Sequence, residues 1–177
     1  KMYEEPTFLA QIGGVSGELV LLNSVNGIDE YGMRRESAFI KIFHDSNTNA
    51  WSAQMKNGVT HRFGTTSQSR WQNSNASKVA AWMIDQSEDL HGNTIDYSYA
   101  SSSNAIYIDH IQYGGGVNIA HPFEITFARA ARNDIRDDYS YGFNRKYQEY
   151  INRVEMKVNG ISRKKYEFLY ETNDLKN

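Results

Sequence analysis

The chain lacks cysteine altogether and holds only two prolines among its 177 residues. Without cysteine there is no thiol nucleophile, no cysteine-ligated zinc and no disulfide, which suits a reducing cytosol or a bacterial secreted protein that avoids thiols. An excess of charge is also missing. Nineteen Lys and Arg stand against 21 Asp and Glu, a formal net charge of -2, so the global field offers nothing to nucleic acid or to an anionic membrane. No apolar run approaches the ~20 residues that a membrane-spanning helix needs.

Catalytic signatures are absent in the same way. The five histidines, His44, His61, His91, His110 and His121, show no metal-ligand spacing and are expected on the surface or in turns. Gly14 precedes Ser16, but Glu18 stands where a nucleophile elbow needs its second glycine. There is no phosphate loop and no G-x-G-x-x-G, and no two glutamates lie two residues apart, which excludes the Glu-x-Glu of ADP-ribosyl transfer. Asp137-Asp138 reads as part of a solvated loop. Asp89, His91 and Asn93 begin like a calcium loop, yet Gly92 falls at its fourth place and Ala100 at its twelfth, so an EF-hand is excluded. Asp before a turn and Gly-Asn within it favour a tight turn that feeds a strand. No catalytic, cofactor-binding or metal-binding residue is assigned.

What is present is strand chemistry. Twelve Tyr, eight Phe and three Trp accompany alternating apolar positions, and Asn26-Gly27, Asn57-Gly58, Gly92-Asn93, Gly114-Gly115-Gly116 and Asn159-Gly160 supply turns. Strands are expected at 17–23, 37–43, 50–55, 59–64, 80–89, 94–99, 105–113, 123–129, 151–158 and 164–171. Helical spacing is found only at 74–84 and at 144–154. The reading is one domain over residues 1–177, mainly β, with antiparallel sheets as a meander, sandwich or shell wall and at most one or two short helices. Ile95, Tyr97 and Tyr99 share one strand face and Thr94, Asp96 and Ser98 the other. The expected core is Phe39, Ile42 or Phe43, Trp51, Phe63, Trp82, Ile95, Tyr97, Tyr99, Ile111, Phe123, Ile125, Phe127, Val154, Met156, Phe168 and Tyr170.

One register argument is sharper than the rest. A plain two-residue turn at Asn159-Gly160 pairs Met156 with Arg163 and Val154 with Lys165, setting two cations on an apolar face. A bulge or odd-length loop near residues 161–164 instead sets Val154, Met156 and Val158 against Tyr166 and Phe168.

Segments 36–43, 50–71, 80–99, 107–114, 123–134 and 150–171 follow one another in a familiar order. Their most specific residues are Trp51, Asn57-Gly58 and Phe63-Gly64; then Trp82, Asp89, Gly92-Asn93, Tyr97 and Tyr99; and finally Tyr166 and Tyr170. Over about residues 30–172, with residues 1–30 matched loosely, the chain resembles the SpvB-type domain of virulence plasmid B proteins and insecticidal toxin complex B components, allied to Rhs/YD-repeat shell proteins. The resemblance implies a non-catalytic, β-rich scaffold, part of a longer secreted bacterial toxin whose shell encloses or presents a toxic effector. Its implied partners are neighbouring domains of the same polypeptide and other toxin-complex subunits, with no cofactor, no nucleic acid and no membrane span. The alternative is a glycan or host-surface binding module that uses exposed tyrosines, above all in segment 137–147.

Overall fold

The computed structural model describes residues 7–35, 39–116 and 118–170. Within them the chain forms fourteen strands and no helix: β1 (Leu9–Ile12), β2 (Val15–Val25), β3 (Ile28–Met33), β4 (Ile40–Asp45), β5 (Ala50–Met55), β6 (Thr60–Phe63), β7 (Arg70–Gln72), β8 (Val79–Trp82), β9 (Ile84–Glu88), β10 (Asn93–Ser102), β11 (Ala105–Gly116), β12 (Phe123–Asp138), β13 (Arg145–Val158) and β14 (Ile161–Glu167). Positions 37, 38 and 171 of the expected strands lie outside the described residues.

Twelve strands make one antiparallel sheet in chain order, and the β7–β8 hairpin is inserted between β6 and β9 as a second, two-stranded sheet. The meander follows from its turns. Gly13-Gly14, Asn26-Gly27, Ser103-Asn104 and Asn159-Gly160 each join neighbouring strands with both residues at positive φ, the turn whose twist matches that of a hairpin.

Both helical readings give way to strands. Within 74–84 the chain forms β8, and 144–154 lies in β13, which pairs with β12 on one side and β14 on the other. Its Tyr, Ile and Val residues suit a pleated surface as well as a helix face, and two flanking ladders decide the matter. The single strand expected at 80–89 divides at Met83. That residue's N–H donates to the Ser69 carbonyl (2.7 Å) and its carbonyl accepts from Gly64 (2.9 Å), so β8 and β9 enter different sheets. Asp137 and Asp138 end the long strand β12 rather than sitting in a loop.

The ladder pairs sort the large sheet into two faces. One carries Tyr31, Ile42, Ala53, His61, Ile95, Tyr97, Ile111, Ile125 and Met156 in register across it; the other carries Arg62, Gln86, Asp96, Gln112, Glu124 and Lys157. The register at the last hairpin obeys the charge argument. Val158 pairs with Ile161 across Asn159-Gly160, Arg163 is then the extra residue, and Val154 comes opposite Tyr166. Lys164 still lies opposite Met156, where its ammonium sits 4.9 Å from the Tyr166 ring. Phe168 extends the ladder past Val154, its N–H bonded to the Asn152 carbonyl (2.9 Å).

The core sits at one end of this sheet. Ile12, Leu19, Ile42, Trp51 and Ala53 form the buried cluster, with Phe8, Tyr31, Phe63 and Trp82 packed against it. The expected core is therefore too wide: Phe39, Ile95, Phe123, Phe168 and Tyr170 are exposed. Alternation put most of them on an apolar face, but no second layer of the described chain covers that part of it.

Candidate functional site

Of the sequence-selected aromatics, Trp51, Phe63 and Trp82 meet at the core end. Trp51 lies 4.9 Å from Phe8, 5.2 Å from Tyr31, 4.5 Å from His44 and 5.7 Å from Trp82, centroid to centroid. Trp82 arrives from the inserted hairpin, and its indole N–H donates to the Asn49 carbonyl at 2.9 Å. Gly64, at φ +63°, makes this possible, since a Cβ there would come within 2.2 Å of the Trp82 ring. Phe63 pairs directly with Trp51 across β5 and β6, whose connection is closed by a bond from the Gly58 N–H to the Met55 carbonyl (2.9 Å) and by Asn57 Oδ1 accepting from Val59 (3.2 Å).

Asp89 organises the turn from β9 to β10. Its Oδ1 accepts the N–H groups of His91 (2.8 Å) and Asn93 (3.0 Å), its Oδ2 accepts from the Asn93 side chain (2.8 Å), and Gly92 takes φ +79°. The Asn93 bonds, followed by the backbone bond to His91, hold the Asp89 carboxyl below its ordinary range. On β10, Tyr97 faces Ile111 and Tyr99 faces Ile108 on the apolar side. The Tyr99 hydroxyl donates to the Ile84 carbonyl (2.9 Å), and burial, then the charge of Asp85, push its pKa up to about 12. Tyr166 meets Lys164 on β14, and Tyr170 caps Tyr150 edge-on at 4.8 Å while donating to the Ile151 carbonyl.

The polar face holds a ladder that the sequence did not single out. Arg62 donates to Gln86 (2.6 Å) and Glu88 (2.8 Å), Gln86 donates to Asp96 (2.7 Å), and His121 Nε2 meets both Thr94 Oγ1 (2.8 Å) and Asp96 Oδ2 (3.3 Å). Hydroxyl, imidazole and carboxylate are all present, but the hydroxyl and the carboxylate share one ring nitrogen. A relay needs them on opposite nitrogens, so this trio cannot pass a proton from Thr94 toward Asp96. Among the described residues no three His, Asp or Glu side chains converge to hold a metal. The ladder spreads over β6, β9, β10 and the connection after β11, and only the strand order brings its members together.

The histidine expectation also needs correction. Only His91 is an exposed turn residue. His44 stacks on Trp51, His61 bonds Ser87 at 2.8 Å with its pKa lowered by burial, His110 meets Asp109 at 3.1 Å, and His121 anchors the ladder.

At the far end of the inserted hairpin, the buried Arg145 guanidinium lies 3.5 Å from the Trp71 ring, 4.7 Å from Tyr141 and 5.7 Å from Tyr147, and is ion-paired with Asp138. Cation–π contact in a desolvated setting ties β7 to the β12–β13 loop. Tyr139 and Tyr141 in that loop are exposed, though Tyr141 is held by this stack.

A single long antiparallel meander with one inserted hairpin, apolar on one face and polar on the other, defines the class of domain. The chain belongs to the SpvB family: the profile of the Salmonella virulence plasmid 65kDa B protein matches residues 17–121. The fold is similar to the N-terminal domain of effector protein SpvB from Salmonella typhimurium strain LT2 (TM-score 0.70, 19% identity, 79% of this chain and 67% of that one). It is also similar to a chain of the TcdB2-TccC3-Cdc42 structure (TM-score 0.64, 16% identity, 86% of this chain and 10% of that one) and to one of the Photorhabdus luminescens Tc holotoxin pore (TM-score 0.64, 16% identity, 86% and 9%). The present chain thus spans about a tenth of those toxin chains. No curated protein matches it significantly by sequence. The family is one of bacterial toxins and effectors, and its structural relatives include parts of toxin-complex assemblies.

Proposed function

We propose that this domain is a non-catalytic wall element of a secreted bacterial toxin, part of a β-rich shell that encloses or presents an effector and packs against neighbouring domains of its own polypeptide and other complex subunits. One observation carries the reading. From β9 to β14 the sheet keeps one apolar face in register, yet no apolar side chain there larger than alanine is buried within the described chain. A sheet face of that extent is built to be covered. The residues brought together at Trp51, Trp82, Asp89 and Tyr99 shape the sheet and its turns, and the polar ladder lacks a relay.

The test uses the full-length toxin. Ile111→Asp and Phe127→Asp on the apolar face should leave its effector open to protease, whereas Gln112→Asp on the polar face should leave protection intact. Undiminished protection in all three variants would refute the wall role. The rival reading, glycan or host-surface binding, rests on exposed Tyr139 and Tyr141. A glycan array decides it: reproducible binding lost in Tyr139→Ala and Tyr141→Ala favours the rival, and an empty array favours the wall.

A further inference from the structure

A groove of about 1170 Å³ runs between β1, β8 and the apolar face of the large sheet. A strand seen face-on contributes every second residue. Here residues 7–13 and residues 78–84 line the groove without a gap, so both strands turn their edges toward it. Among the described residues β1 pairs only with β2, and β8 only with β7. Each therefore presents one row of N–H and C=O groups with no described strand beside it.

The floor, which includes Trp51, Phe63 and Tyr99, is apolar and aromatic. Trp51 is only 8% exposed, and among the described residues its indole N–H has no acceptor, whereas Trp71 and Trp82 donate to the carbonyls of Asn104 (2.8 Å) and Asn49 (2.9 Å). Among the described residues lining the groove, Lys78 is the one Lys, Arg, Asp or Glu. Its ammonium stands at the rim, 3.5 Å from the Gly142 carbonyl.

We propose that this groove takes an extended peptide segment of a partner chain by strand addition, with alternate apolar side chains on the Trp51–Phe63 floor and a carboxylate against Lys78. Free strand edges supply the backbone bonds, and the floor reads side chains at a two-residue period. A fatty carboxylate would meet the floor and Lys78 but leave both edges unpaired, so the peptide uses more of what the groove offers. The proposal goes beyond the wall reading and does not depend on it. A failed effector-protection assay leaves the groove standing, and a failed peptide assay leaves the wall standing.

The probe is an acetylated, amidated heptapeptide of alternating valine and threonine ending in glutamate, titrated into the 177-residue protein and followed by tryptophan fluorescence. Saturable binding is expected. Methylating two backbone nitrogens on the pairing edge should weaken it by roughly tenfold or more, as each lost hydrogen bond is worth about fivefold. Replacing the peptide's glutamate with lysine should weaken it too, and Lys78→Glu should reverse that preference with an unchanged circular dichroism spectrum. Absence of saturable binding, or equal affinity for the methylated and unmethylated peptides, would overturn the proposal.

Discussion

The two ends of the large sheet carry the same alternation and reach different outcomes. Strands β2 to β5 bury Leu19, Ile42, Trp51 and Ala53, whereas β9 to β14, with at least as many aliphatic and aromatic residues on the same face, bury only Ala105 among their apolar side chains. Coverage makes the difference. Phe8 and Trp82, brought over the first end by the N-terminal segment and the inserted hairpin, pack over Trp51 on that face; among the described residues no such pair covers the other. An alternating pattern therefore states which face is apolar and not whether anything lies on it.

Matched substitutions give the strongest way to break this contrast. Ile42→Ala removes a side chain that is 2% exposed and should cost about 3–4 kcal/mol, because a cavity remains. Ile111→Ala on the open end, half-buried on the equivalent face, should cost about 1 kcal/mol, mostly lost transfer energy. Urea denaturation of the two variants decides it. Equal losses would mean that the open end is packed as tightly as the core end.

Among the described residues the open end has one large buried side chain, Arg145, and it is charged. Arg145→Met empties the stack on Trp71, Tyr141 and Tyr147 and leaves Asp138 without its cation, a loss of about 2–3 kcal/mol. Arg145→Lys should recover little, since an ammonium cannot stack flat on an indole. Thermal melts that ranked lysine equal to arginine would show that charge alone, without planarity, holds the hairpin to the β12–β13 loop.

How far these features were legible follows from their range along the chain. Asn26-Gly27, Asn159-Gly160 and the strict alternation at Ile95, Tyr97 and Tyr99 are local signals, and strand identity and face came directly from them. The extra residue at Arg163 was also legible, because an unbulged ladder would put Lys165 opposite Val154. The break at Met83 was not, since it depends on Ser69 and Gly64, more than ten residues away. Neither was the meeting of Arg62, Gln86, Asp96 and His121, which needs the strand order before cross-strand neighbours can be known. Segment 144–154 was misread as helical because Tyr147, Tyr150, Ile151 and Val154 satisfy both periods, and only the ladders of β12 and β14 choose between them.

The hairpin of β13 and β14 sharpens the comparison at smaller cost. Deleting Arg163 leaves Met156 opposite Lys164 and Val154 opposite Tyr166, the pairs already present, so the side-chain parity survives and stability should change by less than ~1 kcal/mol. Inserting one glycine between Asn159 and Gly160 should be worse, because the two-residue turn must then widen to three residues or the pairing must slip by one. Loss of the Val154–Tyr166 nuclear Overhauser contact in the deletion variant would mean that the bulge itself, by its twist, sets the register.

The smallest effect belongs to the turn at Asp89, which contributes to neither the core cluster nor the stack. Its folded pKa is depressed by the bonds from Asn93 and His91, so its contribution is fully present above the ordinary carboxylate value near 4 and is lost as pH falls through the lower folded value. Asp89→Asn keeps an oxygen for the two backbone N–H groups that Oδ1 accepts and loses the bond from the Asn93 side chain to Oδ2. The variant should therefore melt slightly below the parent at pH 7, and the gap should narrow as pH falls below 4, where the unfolded chain's carboxyl takes up its proton before the folded one does. Asp89→Ala, which loses all three bonds, should melt lower than Asp89→Asn at neutral pH. Melting curves of the three proteins at pH 7 and pH 3 measure this, and a gap that widened in acid would show that the carboxylate opposes folding at neutral pH.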